Sequence, residues 1–216
     1  MDPPDPSNYY LALAAAFVRG RLHPVPEGGD HEVVATGRSA GLRVHRFKRN
    51  AELPRVRRVL GILRGLAPGS LLDIGSGRGT FLWPLLDALP DAGVLAIDRN
   101  TRRATDLGAV RRGGVETLHA AQMDATRLAL ADASFDVVTA LEVLEHLERP
   151  DLAAREAVRV SRSFVVASVP SREDDNPEHV QLFTRDSLSR LWLESGARHV
   201  NVESVRGHLV CVARVR

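Results

Sequence analysis

One segment constrains the fold more than any other: Leu71-Leu72-Asp73-Ile74-Gly75-Ser76-Gly77-Arg78-Gly79-Thr80. An aliphatic run ending in an acid reads as a short buried strand, and the alternating glycines after it read as a tight turn. Phe81, Leu82, Leu85 and Leu86 then continue at spacings that suit a helix. Glycine lets the backbone bend sharply and approach a ligand with no Cβ in the way. The helix that follows turns unpaired N–H groups and its positive dipole end toward that ligand. A dinucleotide site calls for Gly-x-Gly-x-x-Gly, with its third glycine at position 80. Here Thr80 stands there and the glycine has moved to 79.

Around this unit the chain alternates short aliphatic runs with helical stretches. Strands are expected near 70–74, 93–98, 116–121, 135–141 and 163–169. Two more, near 198–204 and 208–214, flank the hairpin turn Arg206-Gly207. Pro54 suits a first helical turn, and Val56, Val59, Leu60, Leu63 and Leu66 recur on one face until Pro68-Gly69 stops the helix. Thr184 reads as the N-cap of a helix carrying Leu188, Leu191 and Trp192 and ending at Ser195-Gly196. Such alternation implies a mostly parallel sheet covered on both faces.

Three further segments fall in order behind the glycines. Val94-Leu95-Ala96-Ile97-Asp98 is an apolar run ending in an acid about one βαβ unit later, followed by Arg99; Gln122-Met123-Asp124-Ala125 comes next; Phe135 to Leu141 leads into Glu142-Val143-Leu144-Glu145-His146. The set resembles the class I S-adenosylmethionine (SAM)-dependent methyltransferases over roughly residues 50–216. That resemblance implies a Rossmann-like seven-stranded sheet, order 3-2-1-4-5-7-6 with the last strand antiparallel, flanked by helices. It implies SAM as cofactor, with Asp73, Gly75, Ser76, Gly77 and Gly79 at the methionine part, Asp98 and Arg99 at the ribose, and Asp124 and Ala125 at the adenine. Asp136 reads instead as a strand-start acid bonding a turn backbone.

Glu142, Glu145 and His146 are the catalytic candidates. On a helix, positions i, i+3 and i+4 share a face, so the three side chains would converge just past the fourth strand. His179, in Asn176-Pro177-Glu178-His179, follows the fifth strand. The combination is similar to the Glu-x-x-Glu-His segments of ubiquinone-biosynthesis O-methyltransferases and RNA 3′-terminal 2′-O-methyltransferases. The resemblance implies a divalent metal on Glu142, Glu145, His146 and His179. A mixed oxygen and imidazole shell suits Mn²⁺, Fe²⁺, Co²⁺ or Zn²⁺ better than Mg²⁺. The same acids are also favoured at a helix N-terminus without any metal, and His146 would serve equally as a general base. His23, His31, His119, His199 and His208 show no ligand-like spacing and read as structural.

The 216 residues suit one α/β domain, residues 51–216, behind an N-terminal extension, 1–50. In the extension a proline-rich acidic start is expected to be partly disordered, 9–21 to be helical, and the whole to cover the acceptor side. Its basic stretch His45-Arg46-Phe47-Lys48-Arg49 would contact phosphates, with Phe47 stacking on a base, if RNA were the acceptor. A net charge of +2 gives nucleic acid no further support, and the single Cys211 excludes an internal disulfide. The apolar stretch Leu11 to Val18 is too short to span a bilayer and lacks a basic lead-in, so a cytoplasmic protein with no membrane partner is expected. Nothing resembles the Asn/Asp-Pro-Pro-Tyr/Phe signature of amino methylases. The expectation is therefore methyl transfer from SAM to an oxygen of a small hydroxylated or phenolic acceptor. An RNA ribose methyltransferase and a non-catalytic SAM-binding protein are the alternatives.

Overall fold

The computed structural model describes residues 6–47, 51–173 and 175–216. Seven strands form one sheet: β1 (Ser70–Ile74), β2 (Gly93–Asp98), β3 (Leu118–Gln122), β4 (Phe135–Leu141), β5 (Ser161–Pro170), β6 (His199–Val205) and β7 (His208–Arg214). Their order is β3-β2-β1-β4-β5-β7-β6. β1 to β5 run parallel, and β7 pairs antiparallel with both β5 and β6. The alternating pattern sets this arrangement: Leu71, Val94, Ala96 and Val137 face one core, while Leu72, Ile97, Val138 and Ala140 face the other.

The helices are α1 (Pro6–Arg19), α2 (Asp30–Ser39), α3 (Pro54–Leu66), α4 (Leu82–Ala88), α5 (Thr101–Arg112), α6 (Pro150–Val160) and α7 (Arg185–Glu194). α1 to α5 contribute to the first core and α6 and α7 to the second. In α3, Pro54 opens the first turn and Val56, Val59, Leu60 and Leu63 are buried. The helix stops at Ala67, left-handed at φ 45°, whose N–H bonds the Leu63 carbonyl at 2.8 Å. Thr184 caps α7, its hydroxyl accepting from Ser187 N at 3.1 Å.

The extension is continuous with the core. Ala15, Phe17 and Val18 of α1 are buried in the same cluster as Leu107 and Val110 of α5, and burying Phe17 alone is worth about 1.5–3 kcal/mol. α1 and α5 therefore share one core. Phe47 is buried between Phe17 and Trp83, with ring centroids 5.3 and 5.0 Å away, so it cannot stack on a base. Lys48, Arg49 and the proline-rich start, residues 1–5, lie outside the described residues. Among those described, no helix is long and apolar enough to cross a membrane.

The helical face expected for Glu142, Glu145 and His146 does not form. Glu142 is left-handed at φ 56°, and only Leu144–His146 make a short 3-10 turn. The chain reverses at the end of β4, so the i, i+3, i+4 rule loses its basis.

Candidate active site

The glycine-rich loop is pinned from below. Gly75 N and Ser76 N both donate to the Ile97 carbonyl, at 2.8 and 3.1 Å, which ties the end of β1 to β2. Two positions admit no side chain. A Cβ on Gly75 (φ +71°) would lie 2.5 Å from Val143 Cγ2, and one on Gly79 (φ +84°) would lie 2.0 Å from the Trp83 ring. The Trp83 indole is held in place by its N–H, which donates to the Arg78 carbonyl at 3.0 Å.

Asp73 is placed differently from the sequence expectation. It is 2% exposed, and its two oxygens accept from Ser76 Oγ at 2.6 Å and Thr139 Oγ1 at 2.7 Å. Burial pushes its pKa up to about 6, against the lowering effect of those two hydroxyls. The carboxylate braces the loop from inside the protein, through Ser76 on the loop and Thr139 on β4.

Asp98 links the next two pieces. One oxygen accepts from Gly77 N at 3.0 Å and the other from Asn100 N at 2.8 Å, while Arg103 Nη1 stands 3.6 Å away. Each oxygen keeps a second lone pair, so a diol can still be accepted beside it. Asn100, not Asp98, caps α5. At the end of β3 the Asp124 carboxylate accepts from Thr126 N and Oγ1 at 2.9 and 2.8 Å, and these bonds hold its pKa below the usual carboxylate range. Gln122 Nε2 donates to the Arg99 carbonyl at 3.2 Å, and Ala125 packs partly buried against the second core. Gly75 to Gly79, Asp98, Arg99, Asp124 and Ala125 thus occupy the carboxyl ends of three adjacent strands, where ligands bind in open α/β sheets. A loop with no room for Cβ, an acid one strand over and an exposed acid beyond it fit an adenosyl sulfonium ligand. Asp136 behaves as a strand-start acid, accepting from Gly69 N and Ser70 N at 3.1 and 3.0 Å.

Past β4 the candidate residues divide into two groups. Glu142 accepts from Ser168 Oγ at 2.7 Å, meets His208 Nε2 at 3.0 Å and lies 3.7 Å from Arg55 Nε. Burial pushes its pKa up, but His208, Arg55 and Ser168 outweigh this and hold it low; the bond to Glu142 in turn raises His208 above the ordinary histidine value. His208, read from sequence as structural, belongs to this cluster, as do Arg55 and Ser168. The antiparallel pairing of β7 with β5 was the available signal, because it sets His208 opposite Pro170 at the carboxyl end of β5.

The other group is Glu145, His146 and His179, each with a ligand-capable atom within 4.8 Å of the others. Glu142 is not a member. The β5–α7 loop is fastened here by Val180 N donating to the Glu145 carbonyl at 2.9 Å. His146 Nδ1 donates to the Glu178 carbonyl at 3.0 Å, which directs the Nε2 lone pair outward. Asn176 Oδ1 accepts from Glu178 N, so its amide nitrogen faces His179 Nε2 at 3.0 Å. That imidazole nitrogen therefore accepts a hydrogen bond, which a metal taking the same nitrogen would have to displace.

Sheet order, loop and acid positions together define a class I methyltransferase domain. Residues 72–164 match the family model described as methyltransferase domain, and the chain is a member of the class I SAM-dependent methyltransferases. It is 34% identical over 172 residues to the malonyl-acyl-carrier-protein O-methyltransferase of Geobacter sulfurreducens, a match covering 67% of this chain and 62% of that relative. The chain thus spans less than two thirds of the length of that protein. A SAM-dependent methyltransferase from Aquifex aeolicus superposes with a TM-score of 0.65 at 21% identity, over 77% of this chain and 93% of its own. The cyclase SpnF superposes with a TM-score of 0.60 at 18% identity, over 73% and 79%. The last comparison shows that this fold by itself does not dictate the reaction.

Proposed function

We propose that this domain moves the SAM methyl group to an oxygen nucleophile, and that the oxygen is a carboxylate oxygen of an acyl thioester. The observation that carries the reading is the convergence of Arg55 and His208 on one carboxylate, that of Glu142, at the edge beyond β4. Arg55 and, when protonated, His208 facing one anion form a subsite suited to gripping the non-reacting oxygen of a second carboxylate. The malonyl-carrier-protein O-methyltransferase similarity points to the same chemistry. In this reading the backbone of Gly75, Ser76, Gly77 and Gly79 holds the methionine end, Asp98 and Arg99 the ribose, and Asp124 and Ala125 the adenine. Asp73 acts as a positioning residue.

A carboxylate is already a nucleophile at neutral pH, so no base has to remove a proton. SAM, held by the glycine-rich loop and Asp98, would supply an electrophilic methyl group to that oxygen and leave as the neutral thioether with the bonding pair on sulfur, the product being a methyl ester. Opposite charges cancel as the bond forms, so alignment and exclusion of water supply most of the acceleration.

The test is transfer of labelled methyl from SAM to malonyl-pantetheine thioester, with catechol and the preformed malonyl methyl ester as competitors. Base-labile label on the malonyl thioester, lost in Arg55→Ala, is expected. Label on catechol alone would overturn the carboxylate reading. A second reading, a divalent metal assisting a phenolic acceptor, is favoured by the closeness of Glu145, His146 and His179; bound metal would polarise the attacking oxygen.

A further inference from the structure

A cleft of about 280 Å³ opens between the C-terminal end of α1 and the start of α5, lined by Arg21, Arg43, Arg46, Arg78, Arg102 and Arg103. Two carboxylates oppose these six guanidinium groups. Asp106 takes Arg46 at 2.8 Å and Arg21 at 3.8 Å, and Asp98 stands 3.6 Å from Arg103. Among the described residues, Arg43, Arg78 and Arg102 have no ion pair. Three more details go against the preferences of an empty surface. Arg102 and Arg103 sit in the first turn of α5, which carries no acid, although cations there oppose the helix dipole. Arg46 is held by stacking on Phe17, 4.3 Å from its ring centre, and its Nε has no hydrogen-bond partner although it is shielded from solvent. Arg78 comes from the glycine-rich loop itself, so the cleft adjoins the cofactor crevice.

Cations crowded into a concave site beside a helix N-terminus make an anion receptor, and guanidinium forks match phosphate oxygens in particular. SAM carries no phosphate. We infer that this cleft binds a phosphate ester carried by the methyl acceptor, and that the ester is the phosphodiester of a carrier protein's pantetheine arm. The phosphate chemistry stands on the arginines. Its source rests on the carrier-protein reading above.

Calorimetry on the full chain decides the matter, with pantetheine 4′-phosphate, pantetheine and inorganic phosphate as probes, against wild type and an Arg43→Ala/Arg102→Ala variant. Both substituted side chains are exposed, so the fold should persist, and SAM affinity reports on it. Pantetheine 4′-phosphate should bind, pantetheine should not, and the variant should weaken binding by at least about tenfold with SAM affinity unchanged. Inorganic phosphate binding as tightly as the ester would remove the arm as the source. SAM weakening in parallel would return the arginines to the cofactor crevice, and absence of phosphate binding would end the proposal. Methylation of malonyl-pantetheine, which lacks the phosphate, tests the acceptor reading separately.

Discussion

The Glu142 carboxylate and the His208 imidazole meet at 3.0 Å, joining the corner after β4 to the first residue of β7. Arg55 and Ser168 complete the surroundings of Glu142, and the Arg206 carbonyl accepts from the other ring nitrogen of His208 at 3.2 Å. The contribution of Glu142 is present above its unfolded pKa and is lost as pH falls through its lowered folded value. That of His208 is complete below its unfolded pKa and is lost as pH rises through its raised value. The pair is therefore strongest in mildly acidic solution. Glu142→Gln should cost about 1–2 kcal/mol there and less as His208 deprotonates. An NMR titration of His208 should show its pKa falling in the variant; an unchanged pKa would deny the pairing.

Asp73 carries the opposite sign. Its folded pKa of about 6 lies above the ordinary 3.8, so between those values the folded chain holds a proton that the unfolded chain has released. Stability should fall as pH rises across that window. Asp73→Asn should flatten the slope in urea melts taken from pH 4 to 7. Thr139→Val, which strips one oxygen of its donor, should cost about 1–3 kcal/mol at pH 7.

Gly79→Ala places a methyl group inside the Trp83 ring and keeps a left-handed backbone. Destabilisation of about 1–3 kcal/mol is expected from the strain. Because Trp83 must shift, the loop geometry changes and SAM affinity should drop about tenfold or more. Calorimetric SAM binding equal to wild type would mean that the loop tolerates the displacement.

Where a metal takes His179 Nε2, the hydrogen bond from Asn176 competes with it at the Glu145 cluster. Asn176→Ala should therefore strengthen Zn²⁺ or Mn²⁺ binding, and His146→Ala should remove it, with SAM binding intact in both. Metal analysis finding no ion bound to wild type or to Asn176→Ala would leave the cluster a packing and hydrogen-bonding group.

Local chemistry carried most of the fold. Short continuous apolar runs marked β1, β2 and β4 with the expected bounds, Pro54 and Thr184 opened their helices, and Gly207 closed the last hairpin. β3 and β5 differ from expectation by one or two residues at their ends, where strands fray. These features depend on neighbours in the chain, so spacing reveals them. The conformation of residues 142–146 does not: a five-residue segment reads equally as helix or corner, and the packing of Val143 over Gly75 selects the corner.

What sequence by itself determined was the β/α alternation, the Cβ-free loop and the acids that end β2 and follow β3. Tertiary structure alone decided which cations face Glu142, which hydroxyls bury Asp73, and that arginines from four separate segments share one cleft. Each of these pairings joins residues distant in the chain. Their partners are set by strand register and by the docking of α1 on α5, and such contacts leave no periodic trace in the order of the amino acids.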